Sequence, residues 1–147
     1  MSHFSRLALG LSGLLLSASV AGVFFASRAV ASKVAPDRVF EMRTYITHPG
    51  RLDALNSRFR DHTTALFKKH GMENIGYWVP QDEKDGKANT LVYLLAHESR
   101  DAAKKSWAAF SADPVWNKAK EASEKDGKIV DKVISIFLSP TDYSAIK

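Results

Sequence analysis

Glu41, Arg43 and Tyr45 stand at alternate positions of the segment VFEMRTYITHPG, which reads as a β-strand closed by a Pro-Gly break. One strand face therefore carries a carboxylate, a guanidinium and a phenol, while Phe40, Met42, Thr44 and Ile46 occupy the other. Such a face must look at solvent, at a partner chain or into a polar pocket. Two readings stand. In one, Arg43 pairs with a carboxylate inside a subunit interface and gives the pairing its specificity. In the other, Arg43 and Tyr45 orient a small acidic or carbonyl-bearing ligand.

Four further side chains carry possible chemistry. His62 falls on the apolar stripe Leu52, Leu55, Phe59, His62 and Leu66, whose spacing of three and four predicts a helix face turned to a sheet. A histidine there is either a hydrogen-bonded core residue or a ligand and proton-transfer group. His97 ends an apolar strand next to Glu98, with the same two readings. Tyr77 joins Arg43 and His62 as a polar group able to converge on a pocket walled by aromatic residues. His70 is expected to complete a helix end, and His48 to lie exposed in a turn.

Several classes of chemistry are excluded. The 147-residue chain has no cysteine, which removes thiolate catalysis and thiolate metal sites. There is no HExxH and no histidine pair at metal-ligand spacing, so no metal site is expected. The expected domain has neither a phosphate-cradling glycine loop nor a Gly-x-Ser-x-Gly elbow. The net charge of +5 is spread among acidic residues with no free-standing basic cluster, so nucleic acid is not an expected partner.

The first acidic residue is Asp37, and Leu7 to Ser27 runs uncharged between Arg6 and Arg28. Ala29-Val30-Ala31 then fits an A-x-A cleavage site. This reads as a secretory signal peptide over residues 1–31, followed by a linker at 32–38, a domain at 39–140 and a C-terminal tail at 141–147. The expected location is exported, periplasmic or extracellular. An uncleaved membrane anchor and a mitochondrial transit peptide are the alternatives, the second opposed by the unbroken apolar run. Setting aside Arg6 and Arg28 lowers the net charge from +5 to about +3.

The remaining chain must supply the elements that position these groups. A helix is expected from about Arg51 to His70, with Gly71 as its left-handed stop. ENIGYWV at 73–79 reads as a strand with Ile75, Tyr77 and Val79 on one side and Trp78 on the other. QDEKDGKAN is an exposed hairpin loop, and TLVYLLAH at 90–97 is a strand buried on both faces. Ser99 caps a helix from Arg100 to about Ser111 that buries Ala103, Trp107 and Phe110, and Asp113-Pro114 starts a second helical piece at 115–125. KVISIFL at 132–138 is the last strand. The order β-α-β-β-α-β specifies an α+β, ferredoxin-like fold: a four-stranded antiparallel sheet with both helices on one face. The other face would be left bare and apolar, and two copies pairing face to face would cover it.

FEMRTYITHPGRLDAL, FRDHTTALFKKHGMENIGYW and LVYLLAHESRDAAKKSWAAFSADPVW resemble the NIPSNAP domain. The family's runs are like E-L-R-x-Y, P-G, K-H-G, G-Y-W and D-P-x-W, in that order over 39–139. The resemblance implies a dimeric α+β barrel and leaves the biochemical activity open. Some eukaryotic members are mitochondrial and interact with other proteins; this chain differs in opening with an export-type segment.

Two functions follow as expectations. The first is a homodimeric module binding a small apolar or aromatic ligand, or a protein, through Arg43, Tyr45, His62, Tyr77 and His97, with no cofactor. The second is an enzyme of the kind that similar barrels support, a cofactor-free or haem-dependent oxygenase with His62 or His97 as base or iron ligand.

Overall fold

The computed structural model describes residues 38–147. The expected signal segment, and the expected linker up to residue 37, lie outside the described residues. Strand β1 (Val39–Thr47) leads through Pro49-Gly50 into α1 (Leu52–Arg58), a π-helical turn (Phe59–Thr63) and α2 (Thr64–Lys69). Strand β2 (Glu73–Trp78), a 3-10 turn (Glu83–Asp85) and β3 (Thr90–His97) form a hairpin. Helices α3 (Arg100–Ala112) and α4 (Pro114–Ser123) and strand β4 (Val130–Leu138) complete the chain. The sheet order is β2-β3-β1-β4, every pair antiparallel. This is the ferredoxin-like arrangement that the element order specifies.

Local signals terminate the helices where the sequence places them. Ser99 Oγ accepts the Ala102 N–H at 3.1 Å, and Asp113 Oδ1 accepts the Val115 N–H at 2.8 Å with Pro114 at the first helical position. Gly71 takes φ 76 after α2, a left-handed stop that side chains with a Cβ rarely adopt.

Two elements depart from strict periodicity. The long first helix is interrupted where the Thr64 N–H bonds to Phe59 O, five residues back, so one residue more than an α-turn is accommodated. The apolar stripe therefore continues through Phe59, Thr63, Leu66 and Phe67, and His62 is turned out to solvent. The expected place of His62 on the buried stripe is thus corrected. In β2, pairing against β3 slips between Asn74 and Gly76. This bulge brings Asn74 and Tyr77, three residues apart, to the same helix-side layer and breaks the expected Ile75–Tyr77 parity.

Glu41, Arg43 and Tyr45 of β1 point to the helices, level with Leu95, Tyr93 and Leu91 of β3. They sit above a core of Leu55, Phe59, Phe67, Tyr93, Leu95, Phe110 and Ile129. The opposite face is apolar and open over much of its area. Trp78 is 55% exposed and Ile136 46% exposed, and Ile134 and Leu138 are also exposed. At one end the tail turns back, and Pro140, Ala145 and Ile146 line a hollow with Phe40, Leu94 and Leu138.

Candidate functional site

Two polar features lie on the helix side of the sheet. The first is centred on Glu41, which is 1% exposed and accepts four hydrogen bonds. Oε1 receives Arg43 Nη1 at 2.9 Å and Ser135 Oγ at 2.6 Å. Oε2 receives His97 Nε2 at 3.1 Å and Trp107 Nε1 at 2.6 Å. Burial works against the charge, but the bonds from His97, Ser135 and Trp107 and the Arg43 guanidinium outweigh it and hold the carboxyl at about 2. With both oxygens filled, Glu41 has no lone pair free to take a substrate proton. It is a structural anion joining β1, β3, β4 and α3.

Arg43 lies over Trp107, with its guanidinium carbon 4.1 Å from the ring centroid, and 5.6 Å from that of Tyr45. Burial opposes its charge, yet Tyr45, Tyr93 and Glu41 outweigh that and raise its pKa further above the ordinary value. The carboxylate partner expected for Arg43 thus comes from its own strand. Tyr77 and Tyr93 stack at 5.4 Å, and the Tyr77 hydroxyl donates to Asn74 Oδ1 at 2.5 Å. Burial, aided by Tyr45, pushes both phenols up; the Tyr93 hydroxyl is buried with no hydrogen-bond partner among the described residues.

The second feature is a cavity of about 330 Å³ between the β1–β4 half of the sheet and the helices. That volume is in the range that holds small ligands. Tyr45, Phe59, Phe67, Phe110 and Trp116 form aromatic walls, and Val130 and Val133 close the strand side. Arg58 is 4% exposed, with Nη1 bonded to Glu124 Oε1 at 3.1 Å and Ser123 Oγ at 3.3 Å. Its Nε is buried without a partner among the described residues. Lys120 and Lys128 stand exposed at the rim.

The site residues expected from sequence separate into four places. Arg43 and His97 join the Glu41 network, Tyr45 lines the cavity, and Tyr77 lies in the aromatic layer behind Phe59 at 5.7 Å. His62 is remote from all of these, on the outer side of the π-helical turn. Of the two histidines in the oxygenase reading, His62 is outside, and His97 is held by Glu41 through Nε2 while its Nδ1 is buried with no partner among the described residues. Among the described residues, no cluster of three or more His, Asp or Glu is placed to hold a metal ion. Arg58, Lys120, Glu124 and Lys128 were not expected from sequence. Arg58 lies three residues past Leu55, a spacing that puts it beside the buried stripe.

Four antiparallel strands with helices on one side define a ferredoxin-like α+β protein, with a partly open cavity between the layers. The NIPSNAP family pattern matches residues 40–145, and the chain belongs to the NIPSNAP family. A NIPSNAP family protein of unknown function from Agrobacterium tumefaciens superposes with a TM-score of 0.65 at 23% identity, over 76% of this chain and 96% of that one. A NIPSNAP-like domain protein from Burkholderia xenovorans gives 0.64 at 19% identity, over 74% and 90%. The cofactor-independent oxygenase SnoaB from Streptomyces nogalater gives 0.50 at 14% identity, over 76% and 99%, a likeness of fold. Among curated proteins none matches the chain.

Proposed function

We propose that this chain is an exported NIPSNAP protein that pairs through its open sheet face and binds a small molecule with an apolar or aromatic body in the cavity beside Tyr45. The observation that carries the reading is the cavity itself: about 330 Å³ of open space lies against a contiguous aromatic surface running from Tyr45 through Phe59, Phe67 and Phe110 to Trp116, with the Arg58 guanidinium beside it. The Glu41 carboxylate in the packed network has both oxygens filled, which favours a binding role over acid–base catalysis by that group. Pairing is supported by the exposed Trp78, Ile134, Ile136 and Leu138, a patch that is costly to leave in water. Export is supported by the composition of residues 1–31. The oxygenase alternative rests on likeness of fold alone.

The test is native mass spectrometry of the full chain, purified without denaturant, beside Val133→Trp, which fills the cavity mouth from a half-open strand position. A retained small molecule that the variant loses is the expected result. Absence of any retained molecule, together with unchanged Trp fluorescence across a panel of aromatic acids and alcohols, overturns the reading.

A further inference from the structure

The charged groups around the cavity are unevenly matched. Three cations, Arg58, Lys120 and Lys128, line it against one carboxylate, Glu124. The two lysines are at the rim, where they attract an anion without desolvation, and Arg58 is at depth. Arg58 also lies over Trp116, its guanidinium carbon 5.3 Å from the ring centroid, which fixes the fork beside an aromatic wall.

Glu124 is oddly placed for any purpose but this one. It follows α4 directly, at the C-terminal end of the helix, where the unpaired carbonyls make a carboxylate unfavourable. Arg51 serves that helix end, donating Nη2 to Ser123 O at 3.2 Å and to Gly127 O at 3.0 Å. The contact of Glu124 with Arg58 runs from one oxygen to one nitrogen, not the two-pronged pairing that a guanidinium and a carboxylate can form. It sits before Gly127, whose φ of 108 gives the turn a conformation suited to glycine.

We infer that the cavity takes an organic monoanion, a carboxylate carried on an aromatic body, and that Glu124 occupies the anion position on Arg58 until that ligand displaces it. The ligand carboxylate then pairs with Arg58 at depth, its ring lies among Tyr45, Phe59 and Trp116, and Glu124 swings to solvent beside Lys120 and Lys128. This names the ligand class for the cavity proposed above and rests on that reading. A chain-borne carboxylate of this kind keeps the buried guanidinium paired when the site is empty, which an unpaired charge could not tolerate. It also sets a threshold, since only an anion that outcompetes Glu124 enters.

The experiment titrates the full chain with 2-naphthoate and with neutral 2-naphthalenemethanol, by calorimetry and Trp fluorescence, for wild type, Glu124→Gln and Arg58→Lys. Naphthoate is expected to bind roughly tenfold or more tighter than the alcohol, the range of a charge-assisted hydrogen bond. Glu124→Gln should bind naphthoate severalfold tighter while leaving the alcohol unchanged, and Arg58→Lys should weaken naphthoate alone. Equal binding of acid and alcohol in wild type, or unchanged or weaker naphthoate binding in Glu124→Gln, overturns the inference and leaves the cavity reading standing. Binding of neither compound removes both. Should Glu124→Gln fail to fold, the acid–alcohol comparison in wild type decides alone.

Discussion

Trp107 donates its indole N–H to Glu41 Oε2 at 2.6 Å, a bond that ties α3 to β1 across sixty-six residues of sequence. It is one of four donors on a carboxylate that is almost wholly buried, and Arg43 supplies the compensating charge. Replacing Glu41 by Gln keeps the shape but turns an amide N–H₂ towards groups that are themselves donors, and leaves Arg43 buried without its partner. A loss of about 3 kcal/mol or more is expected, the scale found when one partner of a buried pair is removed. Urea unfolding followed by circular dichroism reads it. A change below about 0.5 kcal/mol, ordinary for a surface substitution, would show that the network does not hold these elements together.

The same carboxylate gives the fold an acid limit. Its folded value of about 2 lies below the ordinary 4.5, so the folded state holds fewer protons than the unfolded chain between those two pH values. The stabilisation is complete above pH 4.5 and is lost as pH falls towards 2, about 3 kcal/mol across the window. Urea midpoints at pH 6, 4, 3 and 2 should fall more steeply for wild type than for Glu41→Gln. Parallel curves would assign acid sensitivity to other carboxylates.

The π-helical turn makes a sharper prediction about the cavity. Phe59 and Thr63, four residues apart, both line it, and the turn between them holds one residue more than an α-turn. Deleting His62, which is exposed, should restore an ordinary α-turn in which Phe59 and Thr63, now three apart, still share a face. Helical circular dichroism and binding of aromatic acids should then both persist; loss of binding with the helix intact would mean that the wider turn itself shapes the wall.

These points divide what the sequence makes legible from what it does not. The parity of β1, Ser99 and Asp113 as caps, Gly71 as a stop and the open sheet face all follow from local residue types, whereas the bulge in β2 does not. The cavity does not follow, because its walls come from elements far apart in sequence. A regular 3.6-residue stripe through Leu55 and Phe59 admits His62 and Thr63 alike, and only the structure shows Thr63 buried and His62 exposed. Arg58 and Glu124 escape for a related reason: they are sixty-six residues apart, and each alone looks like an ordinary helix charge. The direction in which Glu41, Arg43 and Tyr45 face was also undecided in sequence. Alternation puts them on one side, and only the packing of Trp107 above them says which.

The open face offers a direct test of pairing. Ile136 is 46% exposed near the middle of β4, opposite Met42 of β1, on the apolar side. A lysine there keeps the strand and puts a charge in the proposed interface, where it has no partner. Wild type should scatter light as a dimer at micromolar concentration, and Ile136→Lys as a monomer with unchanged circular dichroism. A monomeric wild type would remove the pairing proposal, since the tail covers only the Phe40 end of that face.

Asp113 links two of the sequence runs that mark the family. Its Oδ2 meets Lys69 Nζ and His70 Nε2, each at 2.7 Å, while Oδ1 caps α4. These three contacts hold its carboxyl well below the ordinary range, with Lys69 and His70 the leading causes. The two side chains are not equivalent. The Lys69 side chain is 58% exposed and can give up its bond to water, whereas that of His70 is 15% exposed and packs edge-on to Phe110. Asp113→Ala should therefore speed hydrogen exchange at Val115 and Trp116, because the first turn of α4 loses its cap and its tether together. His70→Ala should speed the same amides more than Lys69→Ala does. The reverse order would place the anchoring in charge rather than in packing, and would make Trp116, a wall of the cavity, answerable to salt instead of to the aromatic core.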